Sequence, residues 1–185
     1  TLSHGIIIAA QTAADADRFL SLGASSERTR VTGNIKFDIE LPQDLPDKGT
    51  EFREQYFGER PVWVAASTHD QEEQQILAAH RSLLERYPDL LLVLVPRHPE
   101  RFATVADMID KQGLARVSRT QERRCDADTR VFLGDTMGEV PLFYAACDIA
   151  FVGGSLVPIG GHNLLEPAAL GLPLVSGPHV YNAQE

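Results

Sequence analysis

Two pairs of glycines near the end of the sequence could form a loop that binds an anion. Gly153-Gly154 and Gly160-Gly161 flank a short apolar stretch, and Ser155 follows the first pair. Glycine lets the backbone approach a ligand closely, and a helix that begins after such a loop offers its N-terminal amides to an anion. The spacing fits neither GxGxxG nor GxxxxGK[ST]. The segment predicts a phosphate or nucleotide loop with contacts at Gly154 and Ser155; a connection whose glycines serve only its turns is the alternative.

An acidic residue follows this loop in the first turns of a predicted helix. Asn163, Leu164, Leu165 and Glu166 begin that helix, so that Glu166 faces the same side as the glycines. A carboxylate at this place can accept both hydroxyls of a ribose, as the acidic residue of dinucleotide-binding folds does. Acidic residues are also common in first turns because they complement the helix dipole. Both interpretations of Glu166 stay open.

Other polar residues follow two predicted strands earlier in the sequence. Arg97 comes directly after the apolar run 90–96, and its planar guanidinium suits recognition of a phosphate through two hydrogen bonds. A solvated salt bridge is the alternative for Arg97. Ser67 and Thr68 follow the run 62–66 in the same way, and they could instead cap the next helix.

Two weaker signals complete the set of candidates. Met137, Gly138 and Glu139 precede a predicted helix over residues 140–147, and their backbone groups could hold a base or a phosphate. Lys36, in the segment GNIKFD, is either a solvated lysine or a cation directed into a cleft between domains. The histidines show no HExxH-like pairing, and we therefore expect no metal ion.

The elements that must position these residues alternate between strand and helix. Strands are predicted over residues 62–66, 90–95, 131–133, 149–152 and 173–176, with helices over 70–87, 99–112, 140–147 and 164–170. This alternation is typical of an α/β fold with an open parallel sheet and helices on both faces. Ligands bind such sheets at the carboxyl ends of the strands, where the candidate residues are predicted to lie.

An earlier domain is expected to end before this sheet begins. Residues 5–10 predict a strand and residues 15–22 a helix, whereas the polar stretch 39–50 contains two prolines and indicates a linker. We therefore divide the chain into the end of a first domain (1–38), a linker (39–50) and a second domain (51–185). We expect the chain to be a piece of a longer protein, in which the second domain continues.

Composition limits the classes of partner. The 185 residues include 17 Lys and Arg against 26 Asp and Glu, a formal net charge of -9, which disfavours a nucleic-acid partner. The apolar runs are far shorter than the ~20 residues of a membrane-spanning helix. The two cysteines lack CxxC spacing, which favours a reducing compartment. We expect a soluble chain without a cofactor.

Five segments together resemble the bacterial 3-deoxy-D-manno-octulosonate (Kdo) transferase family. They cover residues 33–38, 65–69, 95–102, 135–139 and 151–167. The most specific combination is FVGGSL followed by GGHN and Glu166-Pro167, with PRHPERF upstream. The resemblance extends over nearly the whole chain.

The resemblance implies a GT-B glycosyltransferase, of which this chain is the C-terminal donor half. Such an enzyme transfers Kdo from CMP-Kdo to a lipid A precursor at the cytoplasmic face of the inner membrane, without a metal. By motif, Lys36 would stabilise charge in the transition state. The CMP moiety would be held by Pro96 and Arg97, Met137 through Glu139, and Asn163 through Glu166. The general base and the membrane contact would belong to the missing acceptor domain, so this chain alone is expected to be inactive.

Two alternatives compete with this interpretation. Another GT-B transferase or an epimerase that uses a uridine nucleotide would employ the same glycine-rich loop and Glu166. A flavodoxin-like regulatory module would instead need an acidic phosphoacceptor cluster after the first strand, where the sequence has Ala65-Ala66-Ser67-Thr68. We rank the regulatory module last.

Overall fold

The computed structural model describes residues 5–33 and 41–183, and the chain divides into two units, residues 1–40 and 41–185. In the first unit, β1 (Ile8–Ala10) pairs in parallel with β2 (Thr29–Val31), and α1 (Ala13–Ser21) connects them. Thr12 caps α1, because its hydroxyl accepts a hydrogen bond of 3.1 Å from the Asp15 amide. The predicted catalytic Lys36 lies outside the described residues.

The second unit is built around a six-stranded parallel sheet. Its strands are β3 (Val62–Thr68), β4 (Leu91–Pro96), β5 (Arg116–Ser118), β6 (Val131–Leu133), β7 (Ile149–Val152) and β8 (Leu174–Val175). Its helices are α2 (Leu45–Tyr56), α3 (Glu72–Leu84), α4 (Phe102–Lys111), α5 (Val140–Ala145) and α6 (Leu165–Ala169). The predicted α/β fold with an open parallel sheet is confirmed.

The strand order is β5-β6-β4-β3-β7-β8, and every pair is parallel. From β3 the chain forms one half of the sheet with β4, β5 and β6, and then crosses to β7 and β8 on the other side of β3. The boundary between β3 and β7 is therefore a topological switch point. Crevices at the carboxyl ends of strands beside such a point are the usual ligand sites of open α/β sheets.

Both faces of the sheet are covered by helices. All six residues of β4 are buried, as expected of a continuous apolar run in a strand with two covered faces. On one face Phe52 of α2 and Phe143 of α5 pack in edge-on contacts with each other and with Phe132. On the other face the core residues come from α3 and α4. Burial of each such side chain contributes ~1.5–3 kcal/mol.

The structure revises one predicted boundary and adds one strand. α2 begins at Leu45, so residues 45–50 are helical and the predicted linker is shorter. Pro46 fits there because an amide in the first turn of a helix has no partner within the helix. β5 was not predicted, because a strand of only three residues, one of them charged, is too short to show an alternation of apolar and polar residues.

Among the helices of the described residues, none combines the length and the apolar character that crossing a bilayer requires.

Candidate nucleotide-binding site

The loop after β7 lies directly against the end of β3. Ser67 has a φ of 57°, and the pairing of β3 with β4 shifts register there. A Cβ on Gly153 would lie 2.4 Å from the Ser67 carbonyl oxygen and 2.8 Å from the Thr68 Cα. Only glycine allows this approach of two backbones. Gly153 is thus explained by packing, and it brings the glycine-rich loop to the switch point.

Glu72, at the start of α3, holds the glycine-rich loop in place. Its side chain is fully buried. The carboxylate accepts hydrogen bonds from the backbone amides of His69 (2.9 Å), Gly154 (2.7 Å), Ser155 (3.0 Å) and Leu156 (2.9 Å). The loop therefore does form an anion site, and the anion is a side chain of the protein itself.

This finding corrects the prediction for Gly154 and Ser155. Their amides were expected to contact a ligand phosphate, but they are occupied by Glu72, and a second anion there would meet like-charge repulsion. The Ser155 hydroxyl is occupied too, because it donates to the Val152 carbonyl at 2.7 Å and accepts from the Gly177 amide at 2.9 Å. No local sequence pattern indicates this contact, because Glu72 and Gly154 are 82 positions apart.

A second buried carboxylate engages Thr68. Glu73 is fully buried and accepts hydrogen bonds from Arg101 at 3.1 and 3.3 Å and from the Thr68 hydroxyl at 3.3 Å. Burial raises the pKa of Glu73, and the hydrogen bond from Arg101 opposes that rise. The Thr68 side chain is therefore directed into the core, which corrects its prediction as a ligand contact. The half-buried Ser67 hydroxyl has no hydrogen-bond partner among the described residues.

Arg97 stands at the mouth of the switch point with an exposed side chain. Pro96 ends β4 and pairs with Thr68, whose carbonyl accepts a hydrogen bond of 2.9 Å from the Arg97 amide. The guanidinium of Arg97 makes no hydrogen bond or ion pair within residues 5–33 and 41–183. The backbone of Arg97 is thus fixed while its charge stays available, which suits the binding of an anion.

Three histidines that the sequence did not predict surround this mouth. The Nε2 atoms of His69 and His162 are 2.6 Å apart, and the His98 ring lies 5.3 Å from the His69 ring. Burial lowers the pKa of both His69 and His162, and the positive charge of Arg97 adds to the effect. No group of three or more His, Cys, Asp or Glu side chains in the described part of the chain is arranged to hold a metal ion.

The predicted segment Met137–Glu139 follows β6 at the same edge of the sheet. The Glu139 carboxylate pairs with Arg119 at 3.0 Å and accepts a hydrogen bond from the Thr136 hydroxyl. Gly138 adopts a φ of 82°, and the Met137 side chain is exposed. Glu139 therefore anchors the segment, while the Met137 side chain and the local backbone are open to a ligand.

The predicted segment Asn163–Glu166 leads into α6. The Asn163 side chain accepts a hydrogen bond of 3.0 Å from the Leu165 amide, and its amide group is 3.4 Å from the Glu166 carboxylate. Leu164 packs against the core. Glu166 is half-buried in the first turn of α6. Its carboxylate has one long hydrogen bond among the described residues, which leaves acceptor capacity for a ligand.

The segments predicted from the sequence lie at the carboxyl ends of four adjacent strands, β6, β4, β3 and β7. Arg97 follows β4 with its amide bonded to Thr68, and the glycine-rich loop follows β7, so both lie beside the switch point. Glu166 lies on α6 after that loop, and Met137–Glu139 follows β6. It removes Thr68 and the amides of Gly154 and Ser155 from the surface that a ligand could contact. It adds the histidines, which are far apart in the sequence.

The sequence is similar to transferases of one family. The model of the family described as 3-deoxy-D-manno-octulosonic-acid transferase (kdotransferase) matches residues 1–39. The 3-deoxy-D-manno-octulosonic acid transferase of Haemophilus influenzae is 47% identical over 179 residues, which cover 97% of this chain and 42% of that protein. The transferase of the same name from Bordetella pertussis is 38% identical, with 96% and 42% covered. The chain thus spans about two fifths of the length of these relatives.

A solved structure is similar to most of this chain. The C-terminal CMP-Kdo binding domain of WaaA from Acinetobacter baumannii is 41% identical, with a TM-score of 0.73, and the match covers 77% of this chain and 75% of that domain. Sequence and fold therefore agree, and the chain belongs to the 3-deoxy-D-manno-octulosonic acid (Kdo) transferase family.

Proposed function

We propose that this chain is the donor-binding part of an inverting glycosyltransferase that transfers Kdo from CMP-Kdo to a lipid A precursor in lipopolysaccharide assembly. The observation that carries the proposal is Arg97. Its guanidinium is exposed at the switch point, without a partner among the described residues, in a domain similar to one that binds CMP-Kdo. A fixed cation at this place supports binding of the donor phosphate.

Three segments hold the CMP moiety in this proposal. Arg97, next to Pro96, binds the phosphate. Glu166 accepts hydrogen bonds from the ribose hydroxyls. Asn163 and Leu164 position Glu166, and Leu165 is the first residue of its helix. The exposed Met137 and the backbone of Gly138 and Glu139 contact the base.

Departure of CMP places negative charge on its phosphate, and preorganised donors stabilise that charge as it develops. Arg97 does this from the second unit, and Lys36, which lies outside the described residues, does so in the complete enzyme. The general base and the acceptor site belong to the first domain of the complete enzyme. This chain therefore binds CMP but transfers no sugar, because catalysis requires an acceptor held in line with the donor carbon.

The setting of the reaction is part of the same proposal. The lipid A precursor is a membrane lipid, so the complete enzyme works at the cytoplasmic face of the inner membrane and contacts it through the first domain. The second unit then supplies the nucleotide from the aqueous side.

Calorimetric titration of the chain with CMP, UMP and UDP tests the proposal. We expect CMP to bind most tightly, and Arg97→Ala to weaken it by roughly 1.5–3 kcal/mol, the value of a charge-assisted hydrogen bond. Arg86→Ala is the matched control, because Arg86 follows α3 at the opposite edge of the sheet. Tighter binding of UMP or UDP would favour the uridine alternative. CMP binding that Arg97→Ala leaves unchanged would contradict the proposed phosphate site.

A further inference from the structure

His69 and His162 form a pair at the mouth of the switch point that the proposed donor site does not yet use. Their Nε2 atoms are 2.6 Å apart, and the ring planes are inclined by 8°. Rings stacked face to face are held apart by about 3.5 Å, the optimal separation of non-bonded carbon atoms. The shorter distance between the nitrogens therefore indicates an edge-to-edge hydrogen bond through the two Nε2 atoms.

Such a hydrogen bond restricts the protonation of the pair. One Nε2 must carry the shared hydrogen and the other must accept it, so both Nε2 atoms cannot be donors at once. As long as the hydrogen bond persists, the pair is either neutral or carries one positive charge. The pair is thus a unit that can gain a single proton, and both rings are half-buried rather than enclosed.

We propose that the His69–His162 pair is a further part of the donor site and takes up one proton from solvent when a nucleotide phosphate binds beside Arg97. This inference rests on the proposed function, because it requires the phosphate to bind there. The ligand it identifies is a phosphate dianion, such as that of a nucleoside monophosphate.

Burial and the surrounding positive charges favour the neutral form of the pair before the ligand binds. Burial, Arg97 and the neighbouring His98 lower the pKa of both rings, and Arg101 also lowers that of His69. The carboxylate of Glu72 raises the pKa of both rings. Glu72 is already shared among four backbone amides. A bound phosphate dianion would offset the positive charge of Arg97 and would itself attract the positive charge of a protonated pair. Both effects favour the protonated form of the pair.

Position in the fold connects the pair to the nucleotide. His69 follows β3, and the adjacent His98 ring follows β4 immediately after Arg97. His162 packs on the glycine-rich loop, because a Cβ on Gly154 would lie 3.0 Å from its ring. The pair therefore bridges the two sides of the crevice, and its charge would lie next to the phosphate that departs with CMP.

Calorimetry in two buffers of different ionisation enthalpy, such as Tris and PIPES, measures the proton uptake. At pH 7.5 the chain should take up about 0.5–1 proton for each CMP bound. Because binding then requires protons, the affinity for CMP should fall about three- to tenfold for each unit by which the pH rises between 7 and 8. CMP itself contributes little, since the second pKa of a phosphate monoester is about 6. The double variant His69→Gln/His162→Gln should take up almost none. His179→Gln is the control, because it removes a histidine outside the pair.

A second measurement does not depend on the folding of the variant. The pKa of His69 and His162, followed by NMR in the unaltered chain, should rise when CMP is added, whereas that of the buried His80 should not. CMP binding without proton uptake, or equal uptake by the double variant, would overturn this inference and leave the proposed function intact. Absence of CMP binding at every pH would overturn both.

Discussion

The Glu72 carboxylate accepts a hydrogen bond of 2.7 Å from the Gly154 amide, although the two residues are 82 positions apart in the sequence. The same carboxylate binds the next two amides of the loop, at 3.0 and 2.9 Å. A motif that resembles a ligand-binding loop is thus held by an internal anion. The Glu72 carboxylate thereby fixes the segment after β3 relative to the segment after β7, and the switch point lies between these two strands.

Glu72→Gln should therefore destabilise the chain and loosen the loop. The amide group of glutamine would face backbone N–H groups, so at least one buried donor would lose its partner, at a cost of about 3 kcal/mol. Urea denaturation followed by the fluorescence of Trp63, the single tryptophan, measures the loss. Glu51→Gln on the exposed side of α2 is the control, with an expected change within about 0.5 kcal/mol. Equal stability of the two variants would show that the glycine-rich loop keeps its conformation without the Glu72 carboxylate.

Gly153→Ala should be more damaging than a typical exchange of glycine for alanine. The added Cβ would meet backbone atoms of Ser67 at 2.4 and 2.7 Å, and backbone cannot rotate away as a side chain does. We expect a loss of at least 3 kcal/mol and weaker CMP binding in whatever fraction folds. Gly113→Ala provides the comparison: its φ is 69° but nothing lies within 4 Å of the added Cβ, so only about 1 kcal/mol is expected. Similar losses for both variants would contradict the close approach of the two loops.

The fold was predictable because local patterns specify it. The continuous apolar run of β4 and the bounds of β6 and β7 followed directly from the sequence, as did the positions of Arg97 after β4 and of Glu166 in the helix that follows β7. The contacts that decide which groups are available were not predictable. Glu72 meets Gly154 across 82 positions and His69 meets His162 across 93, so neither pair produces a local pattern. Only the parallel sheet, which gathers the ends of distant strands, brings them together.

His80 should make stability depend on pH below neutrality. It is fully buried; the Trp63 indole donates to its Nδ1 at 3.1 Å, and its Nε2 donates to the Arg130 carbonyl at 2.9 Å. Burial lowers the pKa of His80 to about 4. Because the ordinary pKa is about 6.5, the unfolded chain binds more protons between pH 6.5 and 4, and the free energy of unfolding should fall by about 3 kcal/mol over that range.

Urea denaturation at several pH values, with Trp63 fluorescence, tests this dependence. His80→Gln should be less stable at pH 7.5 but should lose less stability on acidification, whereas His179→Gln should follow the unaltered chain. An NMR titration in which the His80 ring gains its proton near pH 6.5 would refute the assignment of a buried neutral imidazole.

Glu166→Gln should weaken CMP more than it weakens 2′,3′-dideoxy-CMP, which lacks the ribose hydroxyls. Glu166 lies in the first turn of α6, and its one hydrogen bond among the described residues is the 3.4 Å contact with Asn163, so its carboxylate can accept further hydrogen bonds. Loss of the charge should cost ~1.5 kcal/mol for CMP, or about tenfold in affinity, because hydrogen bonds to charged groups are worth more than neutral ones. The dideoxy nucleotide has nothing to donate to Glu166 and should lose little. Calorimetric titration of the unaltered chain and of Glu166→Gln with both nucleotides gives the four affinities required. Equal weakening of the two nucleotides would reduce Glu166 to its effect on the helix dipole and would leave the ribose without an assigned acceptor.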